Sequence, residues 1–185
     1  MTGITAEIPT IETKSLLMRG WEAADHEVFT ANWKRPDWNE YIGGFRNRDD
    51  VWNLMCEANG SWSLQGFGFM AVTLKETGEL IGMGGPICPG GWPEPEIGWS
   101  IFPNHQGQGF ATEMATAALR FVYGELGWTT AISLIDARNG PSMRVATKLG
   151  ASLERHSVPV TQFVADIWRH LPPEQFFKLH GKASS

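Results

Sequence analysis

Residues 95–114, "PEIGWSIFPNHQGQGFATEM", constrain the fold more than any other stretch of the chain. The first half alternates in the manner of a β-strand, and helical spacing begins at Phe110 and runs to about residue 126. Gly107 and Gly109 stand between the two patterns. A helix start leaves backbone N–H groups without intrahelical partners, and residues that lack a Cβ atom let a bulky phosphate approach them. The segment predicts a strand, an anion-binding loop and a helix, although a tight turn alone would also account for the glycines.

Two common phosphate-binding patterns fit this loop less well. A P-loop requires Gly-Lys-Ser or Gly-Lys-Thr, and the chain contains neither. Gly107 and Gly109 match the first two glycines of a dinucleotide fingerprint, but Thr112 stands where the third glycine belongs, although Asp136 ends the next strand at a suitable distance. That fingerprint also opens a first βαβ unit, whereas this loop follows a hairpin and a third strand. A dinucleotide-dependent oxidoreductase therefore remains only an alternative.

Strand and helix patterns continue on both sides of this segment. Strands are expected at residues 11–21, 67–74, 80–87, 95–103, 130–136, 151–157 and 162–170, and helices at residues 22–34, 49–59, 110–126 and 141–150. Strands gathered in the middle, with a helix crossing to a further strand, indicate an α/β (α+β) fold. We expect one domain at residues 1–178, with a mixed, mostly antiparallel central sheet of about six to seven strands flanked by about four helices. Residues 179–185 are expected to form a frayed tail.

The composition narrows the possible partners. With a net charge of -5 and no run of lysine and arginine, the chain lacks the basic surface that nucleic acids and anionic membranes attract. Its apolar stretches fall short of the ~18 residues that cross a bilayer, and its first residues lack a secretory signal. Cys56, Cys88 and the five histidines have no metal-ligand spacing. We therefore expect a cytoplasmic protein, a monomer or homodimer, that binds no metal, nucleic acid or membrane.

The glycine loop also carries a resemblance to a known family. The pattern Q-x-x-G-x-A, formed by Gln106, Gly109 and Ala111, resembles the acyl-coenzyme A motif of the GNAT superfamily of N-acetyltransferases. Upstream, "IETKSLLMRGW" and "EIGWSI" resemble the opening strand and the strand before the motif in this superfamily, and "IWRH" near the end resembles its last strand. The likeness therefore covers nearly the whole chain in the family order and implies the GNAT fold.

A second motif places the chain nearer to one branch of that superfamily. The stretch "NGPSMRVATKLGA" is similar to the Asn-x-x-Ser...Lys-x-Gly segment of the ribosomal-protein N-terminal (RimJ/RimL-like) acetyltransferases, with matches at Asn139, Ser142, Lys148 and Gly150. The resemblance implies an enzyme that transfers an acetyl group from acetyl-coenzyme A to a primary amine of a small molecule or peptide. A non-catalytic protein that binds acyl-coenzyme A with the same fold is the alternative.

The resemblance implies where the co-substrate acetyl-coenzyme A binds. In the family its pyrophosphate lies on the loop before the helix, and its pantetheine arm lies between two splayed strands, here around residues 99–102 and 132–136. The expected contacts are Trp99, Ser100, Ile101, Gln106, Gly107, Gln108, Gly109, Phe110, Ala111, Asn139 and Ser142. For Asn139, a helix cap before Pro141 is an equal alternative.

Acetyl transfer requires a base for the amine and an acid for the leaving thiolate. Strand alternation puts Glu96, Gly98 and Ser100 on one face, and we expect Glu96 in a partly dry cleft to act as the base, directly or through water. A structural or solvated carboxylate is the alternative. Many members of the superfamily place a tyrosine acid in the helix after the next strand, where this chain has Ala146. The thiolate must then take its proton from Ser142 or from a water molecule, or it must leave unprotonated.

The acceptor pocket is expected to involve aromatic residues. The segment "NWKRPDWNEYIGGF" lies between the first two predicted helices, the region that shapes the acceptor pocket in this family. Trp33, Trp38 and Tyr41 are therefore expected to contact the acceptor, although core packing is the alternative for each of them.

Overall fold

A computed structural model describes residues 8–161 and 163–181. The elements in chain order are β1 (Ile11–Glu12), β2 (Leu16–Arg19), α1 (His26–Trp33), α2 (Pro36–Asn39), α3 (Arg48–Gln65), β3 (Met70–Leu74), β4 (Leu80–Ile87), β5 (Glu96–Ile101), α4 (Phe110–Gly124), β6 (Ile132–Ile135), α5 (Gly140–Lys148), β7 (Ser152–Val160), β8 (Phe163–Arg169) and α6 (Pro173–His180). Within these described residues, no helix is long and apolar enough to cross a lipid bilayer.

The strands form one mixed sheet in the order β1-β2-β3-β4-β5-β6-β8-β7. Neighbours are antiparallel except β5 and β6, which run parallel. This arrangement confirms the predicted α/β fold with a mixed, mostly antiparallel sheet. The structure has eight strands and six α-helices in the described residues, slightly more than the sequence indicated.

One of the additional strands arises from a turn in the first predicted strand. Residues 11–21 form β1 and β2 rather than a single strand, because the chain reverses direction at Thr13 to Ser15. The carboxylate of Glu113, in the first turn of α4, accepts hydrogen bonds from the Thr13 hydroxyl at 2.6 Å and from the Ser15 backbone N–H at 2.7 Å. Since these partners lie about a hundred residues apart, no local sequence pattern predicts the turn.

The predicted frayed tail is wrong for Leu179 and His180, which belong to α6. The helix is held by Phe176, whose fully buried ring packs against Tyr123 with ring centroids 5.5 Å apart. Arg120 on α4 also donates a hydrogen bond to the carbonyl of His180. The domain therefore extends through α6, and residues 182–185 of the predicted tail lie outside the described residues.

Two apolar layers cover the two faces of the sheet. On one face α4 contributes Met114, Leu119 and Val122, all fully buried against the central strands. On the other face α1, α2 and α3 enclose an aromatic cluster with neighbouring aliphatic side chains, made of Trp21, Phe29, Trp33, Trp38, Val51, Met55, Ala71, Leu80, Met83 and Phe102. Helices therefore cover both faces of the sheet, and the central strand β5 is buried on both sides.

Glycine at the centre of the sheet gives a test of this packing. A Cβ atom on Gly82 in β4 would lie 2.3 Å from the Ser100 carbonyl oxygen, which is backbone and cannot rotate away. We expect Gly82→Ala to lower the free energy of unfolding by roughly 1–3 kcal/mol, measured by urea denaturation. Gly124→Ala is the control, since a Cβ atom there meets no atom within 4 Å in α4. Equal stability of both variants would contradict the close approach of β4 and β5.

Candidate active site

The site is built where β5 and β6 separate. The two parallel strands share one Cα pair, Glu96 with Ile132, and among the described residues the pairing goes no further. Beyond it two side chains bridge the gap. The Glu96 carboxylate accepts a hydrogen bond from the Leu134 backbone N–H at 3.0 Å, and the Ser133 hydroxyl donates to the Ile97 carbonyl at 2.6 Å. The strands therefore diverge towards their carboxyl ends, and Trp99 to Ile101 have no backbone partner on β6.

The open end of this splay faces the glycine loop. Gly107 and Gly109 adopt φ values of 78° and 90°, in the left-handed region that favours glycine. A Cβ atom on either would meet no atom within 4 Å, so the loop borders open space. Gly109 is the N-cap of α4 and offers no side-chain hydrogen bond to the helix start. The first backbone N–H groups of α4 are thus available to an anion. The Gln106 side-chain amide fixes the loop by donating to the Ile101 carbonyl at 2.8 Å.

A second helix begins beside the splay. Asn139 is the N-cap of α5, and its side-chain oxygen accepts a hydrogen bond from the Ser142 backbone N–H at 3.1 Å. The structure thus shows the capping interaction that the sequence offered as an alternative for Asn139. Ser142 is half-buried in the first turn of this helix. Contacts of both residues with the pantetheine arm stay a prediction.

Glu96 is the titratable group at the narrow end of the splay. Its side chain lies on the same sheet face as Gly98, and only 7% of the residue is exposed. The carboxylate accepts hydrogen bonds from the Trp92 indole N–H at 2.6 Å and from the Leu134 N–H. Burial raises the pKa of Glu96 to about 7, while these two hydrogen bonds act in the opposite direction. The carboxyl group therefore holds and releases a proton near neutral pH, and it also links the two strands.

Ala146 stands at the position where many members of the superfamily have a tyrosine acid, and it lies in the core. Ala146 is fully buried in a small cluster with Ile135 and Ala151, and Trp99 packs against that cluster from β5. Tyr123 donates its hydroxyl hydrogen bond to the Leu171 carbonyl at 2.8 Å, and burial raises its pKa to about 12. Tyr41 is partly exposed beside the Arg138 guanidinium, which lies 5.5 Å from its ring centroid.

Two of the expected acceptor contacts are wrong. Trp33 and Trp38 are 1% and 5% exposed, so neither indole offers surface to a substrate. Their rings contact each other edge to face, and both pack against Phe29 in the aromatic cluster beneath α1 and α2. The spacing of Phe29 and Trp33, four residues apart on one helix, already favoured a core face. Of the three, only Tyr41 is exposed enough to stay a predicted acceptor contact.

Sequence patterns missed three residues that shape the site. Trp92 lies in the irregular segment before β5 and covers the Glu96 carboxylate. Ser133 bonds His170 Nε2 at 2.8 Å, and because the serine hydrogen goes to Ile97, the histidine nitrogen is the donor. Burial lowers the pKa of His170 to about 4, so the imidazole is neutral at neutral pH. A polar serine within the apolar run of β6 was the one available signal. No cluster of three or more metal-binding side chains occurs in the described residues.

Comparison with known proteins identifies the class. The acetyltransferase (GNAT) domain family matches residues 15–152, and the chain belongs to this family. An uncharacterized N-acetyltransferase p20 of Bacillus licheniformis is 26% identical over 149 residues, which are 78% of this chain and 83% of that protein. An acetyltransferase structure from Agrobacterium tumefaciens str. C58 is 27% identical, with a TM-score of 0.81, and covers 92% of this chain and 99% of its own.

The protein is thus an acetyl-coenzyme A-dependent N-acetyltransferase. Mycobacterium smegmatis RimJ in complex with CoA-disulfide has the same fold, with a TM-score of 0.70 at 14% identity, 95% of this chain and 94% of that chain being covered. The comparisons favour an N-acetyltransferase over the two alternatives that the sequence left open, a non-catalytic binding protein and a dinucleotide-dependent oxidoreductase.

The phosphate loop can be tested by crowding it. Gly109→Val places a branched side chain where the anion would lie and strains a backbone with positive φ. We expect the dissociation constant for acetyl-coenzyme A, measured by calorimetry, to rise at least tenfold, or about 1.4 kcal/mol. Gly127→Val is the matched control, because Gly127 also has positive φ and open space around it but lies after α4. Equal affinities in the two folded variants would refute the loop assignment.

The buried carboxyl group makes a prediction about stability and pH. Because the pKa of Glu96 is raised from 4.5 to about 7, the folded protein binds this proton more tightly than the unfolded chain does. The resulting stability is complete below the unfolded pKa and is lost as pH rises through the folded pKa. Between about pH 5 and pH 8, Tm should therefore fall less in Glu96→Gln than in the wild type.

The control for this measurement is Glu76→Gln, which alters an exposed carboxylate far from the site in sequence. Its Tm should follow the wild-type pH dependence. Thermal unfolding monitored by circular dichroism provides the values. Parallel curves for the wild type and Glu96→Gln would show that Glu96 does not titrate in this range.

Proposed function

We propose that the protein transfers the acetyl group of acetyl-coenzyme A to a primary amine by direct attack of the amine on the thioester. The observation that supports this most directly is the splay of β5 and β6, which opens onto the uncapped N-terminus of α4. A strand with free backbone groups beside an anion-binding helix start suits a ligand that has an amide-containing arm and a pyrophosphate. The acceptor is a small-molecule or peptide amine.

Three segments of the chain bind different parts of acetyl-coenzyme A. In this proposal the backbone N–H groups of the loop and first turn of α4, at Gln106, Gly107, Gln108, Gly109, Phe110 and Ala111, hold the pyrophosphate. Trp99 and Ile101 offer their β6-facing N–H groups to the pantetheine arm, Trp99 also offers its carbonyl, and one of these N–H groups polarises the thioester carbonyl. The Ser100 carbonyl faces Gly82 on β4, so Ser100 would contact the arm through its side chain. Asn139 and Ser142, at the start of α5, lie towards the acyl end. No metal takes part in this scheme.

Glu96 acts as the base in this proposal. The amine nitrogen forms a bond to the carbonyl carbon, the C–S bond breaks, and the proton of the amine passes to Glu96 directly or through water. A carboxyl group with a pKa near 7 is suited to this transfer at neutral pH. The thiolate takes a proton from the Ser142 hydroxyl or from water, or leaves unprotonated. Tyr123 is unsuited to that role because its hydroxyl is bonded to Leu171.

Replacing the base tests the mechanism. We expect Glu96→Gln to lower kcat about 100-fold or more at neutral pH, in a thiol-release assay over a panel of primary amines. The residual rate should recover as the pH approaches the pKa of the amine, because free amine needs no base. Acetyl-coenzyme A should still bind to the variant.

Ser133→Ala is the matched control for this experiment. It removes the neighbouring bridge between β5 and β6 but leaves the carboxyl group in place. A loss that came from loosening the splay would appear in both variants, and the pH profile of Ser133→Ala would match that of the wild type. Near-normal turnover of Glu96→Gln with an unaltered pH profile would show that water, not Glu96, deprotonates the amine.

A further inference from the structure

A cavity of about 320 Å³ lies between α3 and the sheet, on the face opposite α4. Its walls are mainly apolar and include Trp21, Leu54, Ala58, Phe69, Met83 and Ile87. Glu57 is the one charged residue among the described residues that line it. The cavity shares Trp21 and Met83 with the edge of the aromatic cluster, but it is empty space rather than packed core.

The cavity lies beside the proposed base. Ile87 and Met83 on β4 pair with Glu96 and Ser100 on β5, so the cavity wall is one strand away from the reaction site. Phe69 joins the two places. Its ring lines the cavity and also lies against Gly98, where a Cβ atom would come within 2.5 Å of the ring and 3.7 Å of Glu96 Oε1.

We propose that this cavity binds the apolar substituent of the acceptor, so that the substrate class is a primary amine with one aromatic or branched aliphatic group on a short arm. The inference rests on the proposed function, since it gives the acceptor of that reaction. Apolar walls stabilise an apolar group by about 25 cal/mol for each Å² removed from water. A polycationic amine would find only Glu57 there, and its other charges would have to be desolvated.

The dimensions of the cavity set the size of this group. An apolar cavity of about 150 Å³ binds benzene, so the volume of about 320 Å³ holds a phenyl ring together with part of an alkyl arm. Neighbouring strands are about 4.8 Å apart. A two-carbon arm therefore carries an amine from the cavity wall at β4 to β5, where Glu96 and the thioester would meet it.

Gly60 on α3 allows the cavity to be filled without disturbing the fold. It lines the cavity, and a Cβ atom there would meet no atom within 4 Å. Alanine is also more favourable than glycine in a helix interior. Gly60→Phe therefore adds a ring to the cavity while keeping the helix, and Gly60→Ala reproduces the backbone effect with little added volume.

The experiment compares 2-phenylethylamine with putrescine in the thiol-release assay. We expect the wild type to prefer 2-phenylethylamine by about tenfold or more in kcat/KM. Gly60→Phe should lower kcat/KM for 2-phenylethylamine by about tenfold, mainly through KM, with the putrescine rate and the affinity for acetyl-coenzyme A unchanged. Gly60→Ala adds only a methyl group and should change the preference far less than Gly60→Phe does. Asn53→Phe adds a ring to an exposed position of α3 outside the cavity and should also leave the preference intact.

The outcomes separate this inference from the proposed function. Equal use of both amines by the wild type, or an equal loss for both in Gly60→Phe, would overturn the acceptor assignment while leaving amine acetylation in place. If neither these amines nor the wider panel releases thiol, the proposed function fails, and calorimetry with 2-phenylethylamine then decides about the cavity. Saturable binding to the wild type and Gly60→Ala but not to Gly60→Phe supports the apolar site, and absence of binding to the wild type overturns it.

Discussion

The rest of the site depends on two side-chain hydrogen bonds that link β5 and β6 at the point where the two strands separate. A parallel ladder would normally pair the facing backbone groups along the whole length of both strands. Here Glu96 and Ser133 provide the last links between the strands, to Leu134 and Ile97. The ladder ends while both strands continue, so β5 keeps free backbone groups inside a protein whose helices cover both faces of the sheet. The starts of α4 and α5 follow the carboxyl ends of these two strands, which brings two helix N-termini to the same opening.

Burial shifts the pKa values of the two titratable groups at the splay in opposite directions, and in each case it favours the neutral form. It lowers the pKa of His170 to about 4 and raises that of Glu96 to about 7, because a dry environment disfavours the charged form of each. The imidazole is therefore a neutral donor that orients Ser133, and near neutral pH it contributes no charge. Glu96 is the group whose protonation changes in this range. The electrostatic potential at the narrow end of the splay is then governed by the carboxyl group that the proposed mechanism uses.

The sequence predicted the parts of the site that depend on local backbone preferences. The strand, the glycine loop with positive φ and the helix start are all encoded within residues 95–114, and the structure has them there. The spacing of Phe29 and Trp33 favoured a core face for Trp33, whereas the burial of Trp38 follows from how the short helix α2 packs on the sheet, which its local pattern left open. The hydrogen bond from Trp92 to Glu96 depends on the path of an irregular segment. The helix α6 was missed although Pro172 and Pro173 precede a helical pattern, and proline at a first helical position is a known start signal.

Glu113 connects the turn between β1 and β2 to the helix start at which the phosphate loop lies. A carboxylate in the first turn of α4 would by itself repel a pyrophosphate at the same helix start. Thr13 and Ser15 direct two hydrogen bonds to that carboxylate and thereby fix its position at the edge of the sheet. The order of the first strands and the electrostatic field at the phosphate loop are therefore thermodynamically linked. By reciprocity, an anion bound at the start of α4 would alter the stability of a turn about a hundred residues away in the chain, because both act on the same carboxylate.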